Sequence, residues 1–175
     1  MNGLVIDVEA TGGSAMTHSM IQIGAVDLDG NEFYAEMRPL EGRDIDPGAL
    51  EAIGLSEDTI WRYPDPRIGI RDFSKWLRST YGGKRVPVWS DNPGFDWQFV
   101  NGYLWLYTDG NPLGWSMRRI GDFYAGLERD VRAASKWKKL RDTKHTHNAL
   151  DDARGNAEAL RKILNRAKQL GRREK

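Results

Sequence analysis

The sequence predicts an α/β fold, a mixed β-sheet flanked by helices in a single domain. Three observations carry that expectation. Strand signals open the chain, helical periodicity fills its second half, and one further strand lies between the helices. No internal repeat and no Pro/Gly/Ser linker divides the 175 residues. A chain of this length buries roughly 70% of its unfolded surface, enough for a core without staples. The domain is read as residues 1–170, with 171–175 as a basic C-terminal tail.

Residues 3–10, GLVIDVEA, are a short apolar run rich in β-branched residues, and Thr11, Gly12 and Gly13 follow as a turn. Residues 20–39 read as two strands joined by the hairpin turn DLDGNE. A helix follows over 44–56, with Asp46 as N-cap, Pro47 at its first position and Gly54 as its stop. Within 65–83, Ile70, Phe73, Trp76 and Leu77 fall at helical spacing ahead of a Gly-Gly terminator. RVPVWSDN, 85–92, is the fourth strand.

A helix over 94–110 places Phe95, Phe99, Leu104 and Trp105 on or near one face, although Gly102 weakens it. Residues 116–128 form another amphipathic helix. The last helix is the clearest, because Leu150, Ala153, Ala157, Leu160, Leu164 and Ala167 recur at alternating three and four. Asp152 and Asn156 lie on the flank of that stripe, where Asp152 can face a cleft.

The chain has no cysteine. Disulfides and thiolate-held zinc are therefore excluded, which suits a reducing cytoplasm. MNGLVIDVEA lacks a basic start and a long apolar run, so no signal peptide is expected, nor any membrane span. The expected setting is the cytoplasm. Net charge is only +1, but acids dominate 27–65 whereas 132–144, RAASKWKKLRDTK, is basic. Such a run is either a solvated face or the rim of a polyanion-binding site.

Asp7 and Glu9 alternate on the first strand, so both side chains share one face, about 6–7 Å apart at Cα. Two like charges at the end of an apolar strand need water or a cation, and Mg²⁺ or Mn²⁺ takes such hard oxygen ligands. Asp96, in NPGFD, suits the first turn of a helix through the dipole alone. In THNALDDARG, Asn148 or Asp151 suits a helix cap, and His147 by itself is an ordinary surface residue.

Taken in order, DVEATG, NPGFD and HNALDDAR resemble the motifs of the DEDDh 3′–5′ exonucleases, in the ribonuclease H-like (DnaQ-like) superfamily. The resemblance spans almost the whole chain, including IDPGALEAIGLS. It implies a ribonuclease H-like sheet. Residues 111–127 look more like the small phage exonuclease A group and the mycobacterial-type exoribonuclease group than like the proofreading members. The second motif departs from the commoner pattern: Ser90-Asp91-Asn92 stands where a small residue and His-Asn are usual, and Asp91 adds a charge without an evident role.

The resemblance implies hydrolysis of phosphodiester bonds from a 3′ end with two Mg²⁺ or Mn²⁺ ions, releasing nucleoside 5′-monophosphates. Asp7 would bridge both ions, Glu9 and Asp152 would complete the first site, and Asp96 would hold the second, largely through water. His147 would be the general base. Main chain at Ala10 and Thr11 would meet the terminal nucleotide, and Phe95 offers a face on which a base can stack. The implied partner is single-stranded nucleic acid or a 3′ overhang, RNA or DNA. No membrane is expected, and a homodimer is left open. The alternatives are a catalytically silent nucleic-acid-binding module and a small-molecule nucleotide phosphohydrolase.

Overall fold

The structure is a computed structural model and describes residues 3–173. One five-stranded mixed sheet runs in the order β3-β2-β1-β4-β5. Strands β1 (Leu4–Ala10), β2 (Met20–Asp27) and β3 (Glu32–Glu36) form an antiparallel meander. Strand β4 (Val88–Ser90) adds parallel to β1, and β5 (Arg118–Arg119) adds parallel to β4. The expected α/β class is thus the observed one.

Central β1 is apolar on both faces because both are covered. Leu4, Ile6 and Val8 pack with Ile70 and Phe73 of α3 (Pro66–Tyr81) and Phe99 and Val100 of α4 (Pro93–Tyr107). Val5 and Trp89 pack on the other face with Ile120 of α5 (Ile120–Glu128) and Ala153, Ala157 and Leu160 of α6 (Ala149–Arg173). The period of two therefore turns Asp7 and Glu9 toward α6.

Local signals set the helix ends. Asp46 caps α1 (Pro47–Ile53) by accepting from Gly48 N, and Gly54 ends it at φ 73°, a left-handed turn that suits glycine. Ser56 then caps α2 (Glu57–Ile60), a short helix beyond the 44–56 segment that the sequence does not announce. Asp65 caps α3, and Gly82 ends it.

Other differences have physical causes. The fourth strand is three residues rather than eight: Pro87 lacks an N–H and gives the ladder only its carbonyl, which accepts from Leu4 N at 2.9 Å, and α4 begins at Pro93. The start of the helix expected over 116–128 is instead β5, whose two residues pair with Trp89 and Ser90. Trp105 is 53% exposed while Leu104 is fully buried, so the stripe of α4 excludes Trp105. Residues 171–173, assigned to the tail, continue α6, and 174–175 lie outside the described residues. Among the described residues no helix is long and apolar enough to cross a membrane.

Two glycines set the position of α6. A Cβ on Gly24 would sit 2.1 Å from Ala149 O, so only glycine lets the helix start lie directly on β2. Gly24 is the cross-strand partner of Asp7. Gly155, one turn on, meets Thr143 O in the same way at 2.9 Å. The side chain of Gln22, opposite Glu9, accepts from Ala149 N at 3.2 Å and ties the two elements together.

Candidate active site

That docking brings the first turn of α6 over the end of β1. Ligand oxygens of Asp7, Glu9 and Asp152 lie within 4.8 Å of one another. Asp7 and Glu9 are half-buried and Asp152 is 1% exposed. Three carboxylates this close repel, and burial compounds the cost of charging them. Burial first, then the charges of Asp96, Glu9 and Asp152, hold the Asp7 carboxyl well above its ordinary range, against the opposing pull of Arg141. Glu9 is pushed up to about 8 by burial and then by Asp152 and Asp96. Such a set of hard oxygen donors fits a divalent cation, which removes the repulsion at its source.

Asp96 stands beside this trio rather than in it. Strand β1 outruns the short β4, so Val8 N has no strand partner, and Asp96 Oδ1 accepts from it at 3.1 Å. Ser90 Oγ donates to the other oxygen, Oδ2. Burial raises this carboxyl to about 7, with the Ser90 and Val8 hydrogen bonds pulling the other way. Asp96 is thus both the plug of a sheet edge and a fourth acid at the cluster.

The loop before α6 is organised by Asp152. Its Oδ1 accepts from Thr146 N at 3.2 Å and its Oδ2 from His147 N at 3.1 Å. His147 itself has φ 55°, a left-handed conformation that a non-glycine residue adopts at a cost. Its ring is exposed, at the mouth of the site. Asn148 caps α6, accepting from Leu150 N and Asp151 N at 3.1 and 3.2 Å. The two readings of this stretch are both realised, a capped helix start and one wall of the acidic cluster. Asp151 turns aside to Arg154, 2.9 Å away.

Three residues join the site that the sequence reading did not assign to it. His145 Nδ1 is 2.6 Å from Asp152 Oδ1, and its ring centroid is 4.3 Å from that of His147. Asn156, fully buried, donates from Nδ2 to Asp7 Oδ1 at 3.4 Å. Its own oxygen accepts from Arg141, whose guanidinium lies 5.0 Å from the Trp137 ring centroid. The spacing of Asn156 four residues after Asp152 was the available signal. Arg141 carried none beyond membership of the basic run 132–144, and His145, just past that run, carried none. Asp91 also gains a role, since Lys138 pairs with it at 2.5 Å and fastens the 3₁₀ turn Lys136–Leu140 to the end of β4.

A cavity of about 260 Å³ opens beside Glu9, between the end of β1, α1 and the start of α4. Ala10, Gly12, Gly13, Ala49 and Phe95 line it. Ala10 and Phe95 thus border this cavity, and Thr11 does not. Thr11 is fully buried, its N–H donates to Ser19 O at 2.8 Å and its hydroxyl to Asp44 O at 2.9 Å. Thr11 fixes the loop, and Gly12 turns there because a Cβ would strike the His18 ring at 2.1 Å.

The comparisons with known proteins agree with this geometry. The sequence profile of the 3′–5′ exoribonuclease Rv2179c-like domain matches residues 2–164. The chain belongs to this family. It is 32% identical over 178 residues to the 3′–5′ DNA exonuclease Cap18 of Escherichia coli, covering 95% of each chain. It is 27% identical to ribonuclease T of Actinobacillus pleuropneumoniae serotype 5b (strain L20), over 96% of this chain and 85% of that one.

Among solved structures, the nuclease domain of 3′hExo, a DEDDh family member bound to rAMP, shares the fold. Its TM-score is 0.71 at 16% identity, over 93% of this chain and 92% of that one. Exonuclease X in complex with 5′ overhanging duplex DNA gives 0.64 at 22% identity, over 95% and 93%. This exonuclease is a 3′–5′ hydrolase of nucleic acid, with the ribonuclease H-like sheet of the DEDDh enzymes.

Proposed function

We propose that this exonuclease removes nucleotides from single-stranded 3′ ends or 3′ overhangs with two Mg²⁺ or Mn²⁺ ions, releasing nucleoside 5′-monophosphates. The convergence of Asp7, Glu9 and Asp152 within 4.8 Å, with Asp96 alongside, is the observation that carries this reading. Asp7, Glu9 and Asp152 would hold one ion, with Asp7 shared by the second and Asp96 supporting that second ion through water. Bound ions would neutralise the scissile phosphate, lower the pKa of the attacking water and stabilise the leaving oxygen.

The chain's own groups supply the rest. His147 takes the proton from the attacking water at a ring nitrogen, a task suited to an imidazole near neutral pH. Its exposed place in the loop pinned by Asp152 leaves the ring free to meet substrate. Ala10 main chain and the Phe95 ring form the seat of the terminal nucleotide, with Gly12 and Gly13 lining the same cavity. Asn156 orients Asp7 from behind.

The family description names ribonucleotide substrate, and the relative Cap18 is a DNA exonuclease. The deciding experiment is digestion of RNA and DNA strands of equal sequence, labelled at the 5′ end, with Mn²⁺. Ladders shortening from the 3′ end support the reading, and the ratio of the two rates assigns the sugar. Cuts inside the strand, or hydrolysis of free nucleotides alone, would overturn it.

A further inference from the structure

The acidic cluster repels the very polyanion it is to cut, so the strand upstream of the scissile bond needs positive potential close by. The cavity beside Glu9, of about 260 Å³, is bordered by α1 and the start of α4. Three other segments carry cations near the acids, the first being β5, which pairs with Ser90, the hydroxyl donor to Asp96. The edge strand β5 consists of Arg118 and Arg119, both exposed. The turn Lys136–Leu140 brings Lys138 to Asp91, and Arg119 Nε donates to Asp91 O at 3.3 Å, so both elements meet at one residue. Lys144 directly precedes His145, which touches Asp152.

The acids in this region are already engaged. Asp91 is held by Lys138, Asp122 by Arg119 at 3.0 Å, and Asp142 by Lys162 at 2.8 Å. Lys139 and Lys144 are exposed and have no acidic partner among the described residues, and Arg118 leans on the Trp89 ring at 5.3 Å. Defence of the sheet edge accounts for charge on β5. It does not account for the exposed lysines on two other segments, Lys139 next to Lys138, which holds Asp91, and Lys144 next to His145, which touches Asp152.

Resting on the reading above, we infer that Arg118, Lys139 and Lys144 form a phosphate track. It engages the backbone of the single strand upstream of the scissile bond, while the cavity beside Glu9 holds the 3′-terminal unit. Affinity along the track is sequence-independent and depends on strand length. A dinucleotide is too short to reach it.

The test compares wild type with the triple variant Arg118→Gln, Lys139→Gln, Lys144→Gln. A charge-matched control, Arg62→Gln, Lys84→Gln, Lys168→Gln, lies elsewhere on the surface. Binding of a 5′-labelled 20-nucleotide strand is measured in EDTA by fluorescence anisotropy across salt concentrations, and dinucleotide hydrolysis is measured with Mn²⁺. The track variant should keep its melting temperature. Its log–log salt slope should fall by about 2, near 0.7 for each lost phosphate contact. Affinity for the long strand should fall by roughly one to two orders of magnitude at 0.1 M salt. Dinucleotide kcat/KM should stay within about twofold, and the control should match wild type on every count.

A triple variant with wild-type slope and affinity overturns the inference, and so does an equal loss in the control. A dinucleotide rate that falls in step with the long strand does the same, since the residues would then act on the chemistry. Salt-dependent binding by a wild type that hydrolyses no substrate would leave the track standing and refute the proposed activity instead.

Discussion

His145 Nδ1 lies 2.6 Å from Asp152 Oδ1, and the His145 and His147 rings stand 4.3 Å apart. Two imidazoles therefore border one carboxylate, and their assigned tasks differ. His147→Ala should lower turnover by about 10²–10⁴-fold, the ordinary worth of a general base, with the Mn²⁺-induced rise in melting temperature unchanged. His145→Ala, which removes a partner of Asp152, should cost activity less, about tenfold, and should alter the Mn²⁺ response. Steady-state kinetics paired with thermal melts checks both. A His147→Ala enzyme at wild-type rate, with His145→Ala inactive, would exchange the roles.

Metal-free stability should fall as pH rises. Glu9 titrates at about 8 in the fold against an ordinary 4.5, and Asp96 at about 7 against 3.8. Both are protonated in the fold over a window where the unfolded chain has lost the proton. Their contribution is whole below about pH 4 and is lost progressively up to about pH 8. Melting temperature in EDTA should therefore decline across this window. Glu9→Gln should flatten the decline and melt higher than wild type at pH 8.5. An identical slope in Glu9→Gln would show that the cluster does not carry the effect.

Gly24 and Gly102 make a contrasting pair. A methyl at Gly24 meets Ala149 O at 2.1 Å, whereas nothing lies within 4 Å of one at Gly102. Gly24→Ala should destabilise by about 1–3 kcal/mol through overpacking and, by lifting the start of α6, should reduce activity beyond that loss. Gly102→Ala, inside α4, should stabilise by about 0.5–1 kcal/mol with activity intact. Denaturant melts and a nuclease assay on each variant decide the point.

Asp151 and Asp152 are adjacent and separable. Asp151 joins Arg154 and, through it, Glu32 on the surface, where an exposed pair is worth about 0–1 kcal/mol. Asp151→Asn should keep near-wild-type rate. Asp152→Asn should abolish both rate and Mn²⁺ response. Equal behaviour of the two variants in a metal-titrated assay would contradict the separation.

Much of this was legible in the residues because it is local or periodic. The alternation at Asp7 and Glu9, the cap at Asp46, the Gly-Gly stop after α3 and the stripe of α6 each follow from a few neighbouring positions. The position of β5 was not legible, because two arginines become a strand only when Trp89 and Ser90 lie beside them. Arg141 and Asp91 were hidden for the same reason. Their meaning depends on a long-range meeting of the 136–141 segment with the end of β4, which no spacing encodes. Thr11 was misplaced because its hydrogen bonds to Ser19 and Asp44 are set by the fold of the loop.

The central claim is that one carboxylate group, built around Asp7, holds the metal that permits hydrolysis. Mn²⁺ titration of turnover on a 5′-labelled single strand, with protein first stripped in EDTA, tests it most directly when wild type is run beside Asp7→Asn. Wild type should be silent in EDTA and restored by Mn²⁺. Asp7→Asn should be silent at every Mn²⁺ concentration, although its metal-free form should melt at or above the wild-type temperature. Turnover in EDTA, or a wild-type titration curve from Asp7→Asn, would contradict the claim.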